Sequence, residues 1–502
     1  MGWQMLEPNL RGYQTSSIAE LRQGVAKKIK RQVLMSPTGS GKTEIAMAVI
    51  YGAVMKGKRV VFLCNRINLV QQASRRFYKA GISHGIIQGQ NTRQTDKQVI
   101  VASIQTVAKR AMPECDLLVI DEVHGAAGSA EFRKVIFDNK DKTIIGLTAT
   151  PWSKGMSKPY PELDDEPLFQ RMVVATTIGE LITQGFLVDC DIYAPEEPDM
   201  SGFKMKKNSF GEMDYSDMDV GTAVDKPKLI GGIVEHWLKL AKDTPTVCFA
   251  SNISHSKHIV EEFRASGIPA EHIDCYTDEF ERAAILKRVE TGETMIISNV
   301  GILTEGWDFP ACKTMILARP TRSLIRYIQM IGRVLRPHHS KERALVLDHS
   351  GTVSRLGFPT DEFPMELDDG KARDNKAQEK KELLPTVCQQ CKFVKPRRSP
   401  VCPRCGAVNH TPTLEVEPGE LKKLEKKEKV TMEDKQQWWG SFLRLAKEKG
   451  KTRSWALAQY KQKFGVWPKG LEEVSIDPVE GVRSWVTSRA IAWANSQKKG
   501  AT

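Results

Sequence analysis

No apolar run in this 502-residue sequence approaches the roughly 20 residues that cross a bilayer, which excludes a hydrophobic spanning helix. A secretory leader is not expected, because Met1-Gly2-Trp3-Gln4-Met5-Leu6 has no basic stretch followed by an apolar one. Leu6 also stands where N-myristoylation requires Ser or Thr. Cysteine pairing is missing too. Six of the ten cysteines (Cys64, Cys115, Cys190, Cys248, Cys275, Cys312) are scattered without pattern, three of them in apolar runs where thiols pack as small hydrophobes. That excludes a disulfide scaffold and predicts a reduced, intracellular, soluble protein. Net charge is absent from most of the chain: residues 1–370 hold 46 basic and 46 acidic side chains. The whole formal excess of +13 lies in residues 371–502, with 28 basic and 15 acidic groups. A neutral body with a basic appendage fits a polyanion-binding protein and, equally, a lysine-rich solvated tail.

With 40% hydrophobic and 27% charged residues the chain is expected to fold, and its length predicts about three units. Short β-branched runs alternate with helical patterns from about residue 30 to 150. Gln32–Ser36, Arg59–Asn65, Gln98–Ser103, Asp116–Asp121 and Thr143–Thr148 read as buried strands, with helices over Thr43–Met55 and Asn68–Ala80. The rhythm resumes with strands at Thr246–Ala250, Met295–Ser298, Thr314–Leu317 and Ala344–Asp348, and helices at Ser256–Ala265, Asp278–Glu290 and Ser323–Ile331. Such alternation predicts an α/β class built of two parallel sheets covered by helices, although no sequence repeat relates the halves. The resulting plan is a first α/β domain over 1–155, a Pro-containing connector over 156–228 and a second α/β domain over 229–360. A charged linker follows over 361–386, then a cysteine module over 387–410, a charged linker or helix over 411–435, and a basic Trp-rich helical region over 436–502.

Ser36-Pro37-Thr38-Gly39-Ser40-Gly41-Lys42-Thr43 follows a predicted strand and opens a predicted helix. Its glycines let successive N–H groups curl toward a phosphate chain at the helix N-terminus. Lys42 would reach the β- and γ-phosphates and the Thr43 hydroxyl would help hold Mg²⁺. The strict pattern has Gly where Ser36 stands. Val119-Ile120-Asp121-Glu122-Val123-His124 ends another strand of the same sheet. There Asp121 can hold Mg²⁺ through water, and Glu122 can orient or deprotonate an attacking water. Together the two segments imply a nucleoside-triphosphate hydrolysis site. Gln329-Met330-Ile331-Gly332-Arg333-Val334-Leu335-Arg336 closes a predicted helix, and Arg333 and Arg336, three apart, are expected on one face. If the two domains close on one nucleotide, these cations meet the charge that develops at the γ-phosphate.

This ordered set resembles a superfamily-two helicase or translocase, with two RecA-like domains around one ATP. Leu10-Arg11-Gly12-Tyr13-Gln14 resembles the adenine-reading motif and implies Arg11 and Gln14 at the base. The resemblance makes Ser36–Thr43 motif I, Asp121–His124 a DExH-type motif II, Leu147-Thr148-Ala149-Thr150-Pro151 motif III, Val300–Pro310 motif V and Gln329–Arg336 motif VI. It implies a catalytic role for Gln329, nucleotide contact by Asp308, and coupling of hydrolysis to domain movement through His124, Thr148 and Thr150. It also implies nucleic-acid contacts by Asn65, Arg66, Gln105, Thr106 and Thr304.

Cys388-Gln389-Gln390-Cys391 and Cys402-Pro403-Arg404-Cys405-Gly406 form two C-x-x-C pairs ten residues apart. Four thiolates so spaced suit a structural Zn²⁺ with every position filled by protein. A redox dithiol and an iron–sulfur cluster are the alternatives. Lys395-Pro396-Arg397-Arg398, between the pairs, reads as a phosphate contact or as an exposed turn. A helicase core followed by such a ribbon resembles the RadD group of bacterial and phage helicase-like proteins. That resemblance implies DNA repair or replication-fork work on single-stranded or branched DNA, in the cytoplasm of a bacterial or phage-infected cell. A single-strand-binding or recombination protein is the partner it suggests. RNA unwinding and an ATP-gated adaptor with little unwinding stay open; a restriction motor is disfavoured by the lack of a nuclease or methylase motif.

The last segment carries Trp438, Trp439, Trp455, Trp467, Trp485 and Trp493, interleaved with Lys447, Lys449, Lys451, Arg453, Lys461 and Lys463. Aromatics at three- and four-residue spacing predict a small helical core. The same basic and aromatic mixture is compatible with a face for unpaired bases.

Overall fold

The computed structural model describes residues 9–371, 384–408 and 431–489, apart from Arg66, several positions between 196 and 211, and 398, 465, 480 and 488. Arg66, Trp493 and residues 411–430 of the linker predicted over 411–435 lie outside the described residues. Residues up to His410 form one compact unit and those from Thr411 a second. Among the described residues no helix is long and apolar enough to cross a membrane.

The first sheet has eight strands: β1 Arg31–Met35, β2 Val60–Cys64, β3 Gly85–Gln88, β4 Asn91–Arg93, β5 Val99–Ser103, β6 Leu117–Ile120, β7 Thr143–Thr148 and β8 Arg171–Val174. Their order is β4-β3-β5-β2-β6-β7-β1-β8, parallel except for the β3–β4 hairpin. Helices cover both faces, so central strands bury every residue and their sequences read as continuous apolar runs. In β2, Val60, Phe62 and Cys64 enter one core layer while Val61 and Leu63 enter the other. A parallel sheet gathers the residues that follow its strands at one edge. Met35 pairs with Thr148, and the Asp121 N–H donates to Leu63 O at 2.8 Å, so Ser36, Asn65, Asp121 and Thr148 share that edge.

The second sheet takes β9 Cys190–Tyr193, then, after a hairpin of β10 Met205–Lys207 and β11 Met213–Tyr215, the strands β12 Thr246–Phe249, β13 Ala270–Ile273, β14 Ile296–Asn299, β15 Thr314–Leu317 and β16 Ala344–Asp348. Its six strands are parallel in the order β13-β14-β12-β15-β16-β9.

Three sequence expectations are corrected. Residues 156–228 are not only a connector: β8 extends the first sheet and β9 the second. Each is the last strand of its sheet and only part-buried. Residues 361–371, expected as a solvated linker, instead form a strap on the first domain. Trp152 Nε1 donates to Pro364 O at 2.8 Å, the Gly155 N–H donates to Asp368 Oδ1 at 2.8 Å, and the Ser157 N–H donates to Asp368 O at 2.8 Å. Phe363 packs on the Trp152 ring and Leu367 reaches the first-domain core, which accounts for two of the apolar residues in so charged a segment. Third, Arg333 and Arg336 do not lie on a helix: it spans Leu324–Ile331 and stops at Gly332.

The cysteine module forms a hairpin of β17 Thr386–Val387 with β18 Val394–Lys395, and it sits on the edge strand β9. The Ala194 N–H donates to Lys392 O at 3.0 Å and Tyr193 packs against Phe393. The second unit holds helices Met432–Glu448 and Arg453–Phe464 around a core of Trp439, Phe442, Leu445, Tyr460, Val482 and Val486. Its aromatics are mostly core, as their helical spacing predicts. Lys463 lies 4.2 Å from the Trp438 ring and Lys461 4.4 Å from the half-exposed Trp467 ring.

Candidate active site

The loop after β1 is shaped by two glycines in left-handed conformation, Gly39 (φ +86°) and Gly41 (φ +79°). Space requires them as well: a Cβ on Gly39 would meet Leu187 at 2.8 Å, and one on Gly41 would meet the Gln14 amide at 2.5 Å. Ser36, where the strict pattern has Gly, is buried and its hydroxyl bonds that of Ser40 at 2.6 Å, tying the two ends of the loop. Ser40 in turn donates to Pro37 O. The helix Lys42–Val54 starts directly from this loop with no side-chain cap on its first amides, which is the geometry that receives an anion.

Lys42 Nζ lies 2.6 Å from Glu122 Oε1 and 3.4 Å from Asp121 Oδ1. Burial alone would lower the Lys42 pKa, but the Glu122 and Asp121 carboxylates override it and raise it. Burial raises Asp121 above the usual carboxylate range, against the pull of Lys42. Burial also opposes ionisation of Glu122, yet Lys42 and His124 hold its carboxyl well below its ordinary value. The carboxylates therefore differ in proton affinity, with Glu122 the firmly ionised one. Its backbone is left-handed (φ +49°), a strained conformation for a side chain of this size.

His124 is buried between Glu122 Oε2 at 3.3 Å and Thr148 Oγ1 at 3.1 Å from the same ring nitrogen, Nδ1. Thr148 Oγ1 also accepts the Thr150 N–H at 2.9 Å. The other ring nitrogen of His124 faces Gln329 Nε2 of the second domain at 3.4 Å, so with Nδ1 protonated it accepts from the amide. One buried chain thus runs from motif II through motif III to motif VI.

The second domain supplies the opposite wall. A Cβ on Gly332 would sit 2.8 Å from Thr38 Cβ, and Arg336 Cγ lies 3.8 Å from the place a Cβ on Gly39 would take. Arg333 and Arg336 both donate to Trp307 O, at 2.8 and 3.0 Å, and Arg336 also pairs with Asp308. Burial and the neighbouring Arg336 push Arg333 down to about 10, which leaves it cationic at neutral pH. Gln72 Nε2 completes the seam by donating to Gly306 O at 2.8 Å.

Arg11 and Gln14 stand beside the loop. The Gln14 amide donates to Ser40 O at 2.9 Å and its carbonyl accepts the Arg11 N–H at 2.9 Å, so it buttresses the loop backbone. The Arg11 guanidinium stacks 3.8 Å from the Phe186 ring centre. Asn65 and Gln105 meet at the carboxyl edge of the adjacent strands β2 and β5, where Gln105 Nε2 donates to Asn65 O at 2.6 Å. Thr106 Oγ1 accepts the Gly89 N–H at 2.9 Å, and Thr304 is half-buried on the second domain.

Residues without a motif to announce them also bear on the site. Arg76 Nη1 donates to Thr43 Oγ1 at 2.6 Å, reaching across from the Ile67–Lys79 helix. Asp214, buried on β11, accepts from the Arg322 N–H at 2.7 Å and from Thr321 Oγ1 and Arg326 Nη1 at 2.8 Å, fixing the start of the Leu324–Ile331 helix. Only a hairpin arriving from over 100 residues upstream makes that contact, so no local spacing signals it.

Two family models match in tandem, the type III restriction enzyme res subunit over residues 7–153 and the helicase conserved C-terminal domain over 226–338. The chain carries a superfamily-two helicase core. It is the core of an ATP-hydrolysing enzyme, made of two RecA-like domains. This helicase core is 26% identical over 377 residues to a 51.5 kDa protein of Lactococcus phage (isolate 7-9), covering 74% of this chain and 77% of that one. It is 24% identical over 340 residues to the ATP-dependent DNA helicase uvsW of Enterobacteria phage T4, covering 64% of this chain and 65% of the relative. A fragment assigned to the HsdR subunit of a type I restriction enzyme from Vibrio vulnificus YJ016 shares the fold, with a TM-score of 0.53 and 19% identity over 73% of this chain and 68% of that one.

The four cysteines of the module converge. Their sulfur atoms all lie within 4.8 Å of one another, with Cys388 to Cys405 at 3.8 Å and Cys391 to Cys402 at 3.7 Å.

Proposed function

We propose that this chain is an ATP-driven DNA translocase or helicase acting on single-stranded or branched DNA in repair, recombination or replication, in the manner of the RadD group. The observation that carries the reading is Arg336 facing the glycine loop across the domain seam, with Arg333 beside it. ATP with Mg²⁺ supplies the hydrolysable phosphate anhydride. Toward it, Lys42 and the amides after Gly41 would bind the phosphates, Thr43 and Asp121 would hold the metal, and Glu122 would accept a proton from the attacking water. The contact of Glu122 with His124, which faces Gln329, ties its position to domain closure. Arg333 and Arg336 would neutralise charge developing on the γ-phosphate only while the seam is shut. Alternating closure moves a strand if both domains grip phosphates, which is the part given to Asn65, Gln105, Thr106 and Thr304. The DNA helicase uvsW among the relatives supports DNA over RNA.

The cysteine module fits structural zinc: a tetrahedron with arms of about 2.3 Å has edges of about 3.8 Å, close to the sulfur separations of the two cysteine pairs. ATP turnover measured against single-stranded, duplex and forked DNA and against RNA tests the function. Stimulation by forked or single-stranded DNA is expected; stimulation by RNA alone would overturn the choice of substrate. Strand displacement measured alongside separates a helicase from a translocating adaptor.

A further inference from the structure

Residues 51–100 hold nine basic side chains and one acidic, Asp96, whereas the rest of residues 1–370 holds 37 basic and 45 acidic. The fold gathers four of those cations. Arg75 and Lys79 on the Ile67–Lys79 helix, Arg93 at the end of β4 and Lys97 before β5 line one hollow of about 640 Å³, and no Asp or Glu lines it. None of the four has an ion-pair partner among the described residues. The basic pairs elsewhere on this domain differ, since Lys58 lies 3.0 Å from Asp116 and Lys140 2.9 Å from Asp164. His84, also in the lining, accepts from Ser74 and donates to Ile82 O, and burial keeps its pKa low, so positive charge comes from the four long side chains. Tyr78 stands 63% exposed at the rim.

The hollow is not where motifs Ia and Ib place nucleic acid. Lys97 precedes β5 and Gln105 follows it, so the two lie at opposite ends of the sheet. The Ile67–Lys79 helix joins those ends over about 20 Å. Arg75 lines both this hollow and the larger one of about 750 Å³ between the Ile67–Lys79 helix and motif V. Arg75 thus joins the seam hollow, where Arg75, Arg76 and Arg282 are balanced by Glu290, Glu305 and Asp308, to a basin whose lining holds no acidic side chain.

We propose that the hollow of Arg75, Lys79, Arg93 and Lys97 is a second phosphate-backbone site, which holds nucleic acid away from the motor track. Unpaired cations grouped in a concave, acid-free surface attract a polyanion by counter-ion release, and an exposed tyrosine at the rim adds a stacking face. The proposal rests on the nucleic-acid reading above, and its test separates the two. Binding of labelled single-stranded and duplex DNA is measured against salt concentration for the full chain, for Lys79→Gln with Arg93→Gln, and for Lys58→Gln with Lys140→Gln as a charge-matched control. The Lys79/Arg93 variant is expected to lower the slope of log K on log salt by about 1.4 for single strands or about 1.8 for duplex. Whichever DNA shows the loss is the one held. The control pair is expected to leave the slope alone, and DNA-free ATP turnover stays at the parent rate in both variants. Unchanged slopes in the Lys79/Arg93 variant, or loss of binding to an acidic polyglutamate peptide without loss of DNA binding, would overturn the site. If no nucleic acid stimulates ATP turnover while the slope still drops, the motor reading fails and the site stands.

Discussion

Lys42 bridges the half-buried carboxylates of Asp121 and Glu122 at the start of its helix. Lys42→Ala is expected to cut ATP turnover by at least about 10²-fold through lost phosphate stabilisation, with the far-UV spectrum unchanged. Arg336→Ala should cost about 10³-fold, and normal turnover in that purified variant would remove the cross-seam assignment. A different residue sets the response to acid. His349 is half-buried with its ring 5.3 Å from that of His236, and burial, aided by His236, drives its pKa from 6.5 to about 3. A folded pKa below the unfolded one means that protons favour the unfolded chain. Stability from this residue is complete above pH 6.5 and is lost progressively as pH falls toward 3. His349→Phe is therefore expected to gain on the parent in urea unfolding as pH drops through that window; a constant difference would show His349 is not the sensor.

Elements with strong local signals are legible in the amino-acid order alone. The predicted bounds of Thr143–Thr148, Thr314–Leu317 and Ala344–Asp348 match β7, β15 and β16, because central parallel strands must be apolar throughout. The edge strands β9 and β13 carry no such signal, because Asp191 in one and Glu271 and His272 in the other interrupt any apolar run. The β10–β11 hairpin is equally silent, yet it fixes the helix leading to Arg333 and Arg336. Asp214→Ala removes the acceptor of a buried pair and of two further donors, and is expected to destabilise the second domain by about 3 kcal/mol. If the hairpin positions motif VI, kcat falls while KM for ATP holds; a loss of stability with kcat intact would make the contact merely structural.

At the scale of the whole molecule, the cysteine module is attached through backbone pairing to β9 and so extends the second domain. One zinc per chain is expected by elemental analysis, and Cys402→Ser should lose it and expose the 386–408 segment to proteolysis; full metal content in that variant would refute the four-thiolate site. The second unit is a packed aromatic core with lysines resting on its indoles, as the helical-core reading of its tryptophans expects. Removing residues 411–502 should weaken DNA binding and flatten its salt dependence, and an unchanged slope would show that this unit is no electrostatic anchor.

Parts whose requirements are local are written in the chain itself. A glycine loop between strand and helix, acids after a buried strand and two C-x-x-C pairs each need only neighbouring residues to specify their backbone and chemistry. How those parts face one another is settled by packing between distant segments. Gly332 against Thr38, His124 against Gln329, the strap from Pro364 to Trp152 and the hollow that joins Arg75 to Lys97 all arise in this way. Such contacts are fixed by how two sheets and their helices fill space, a property that no short window of residues contains.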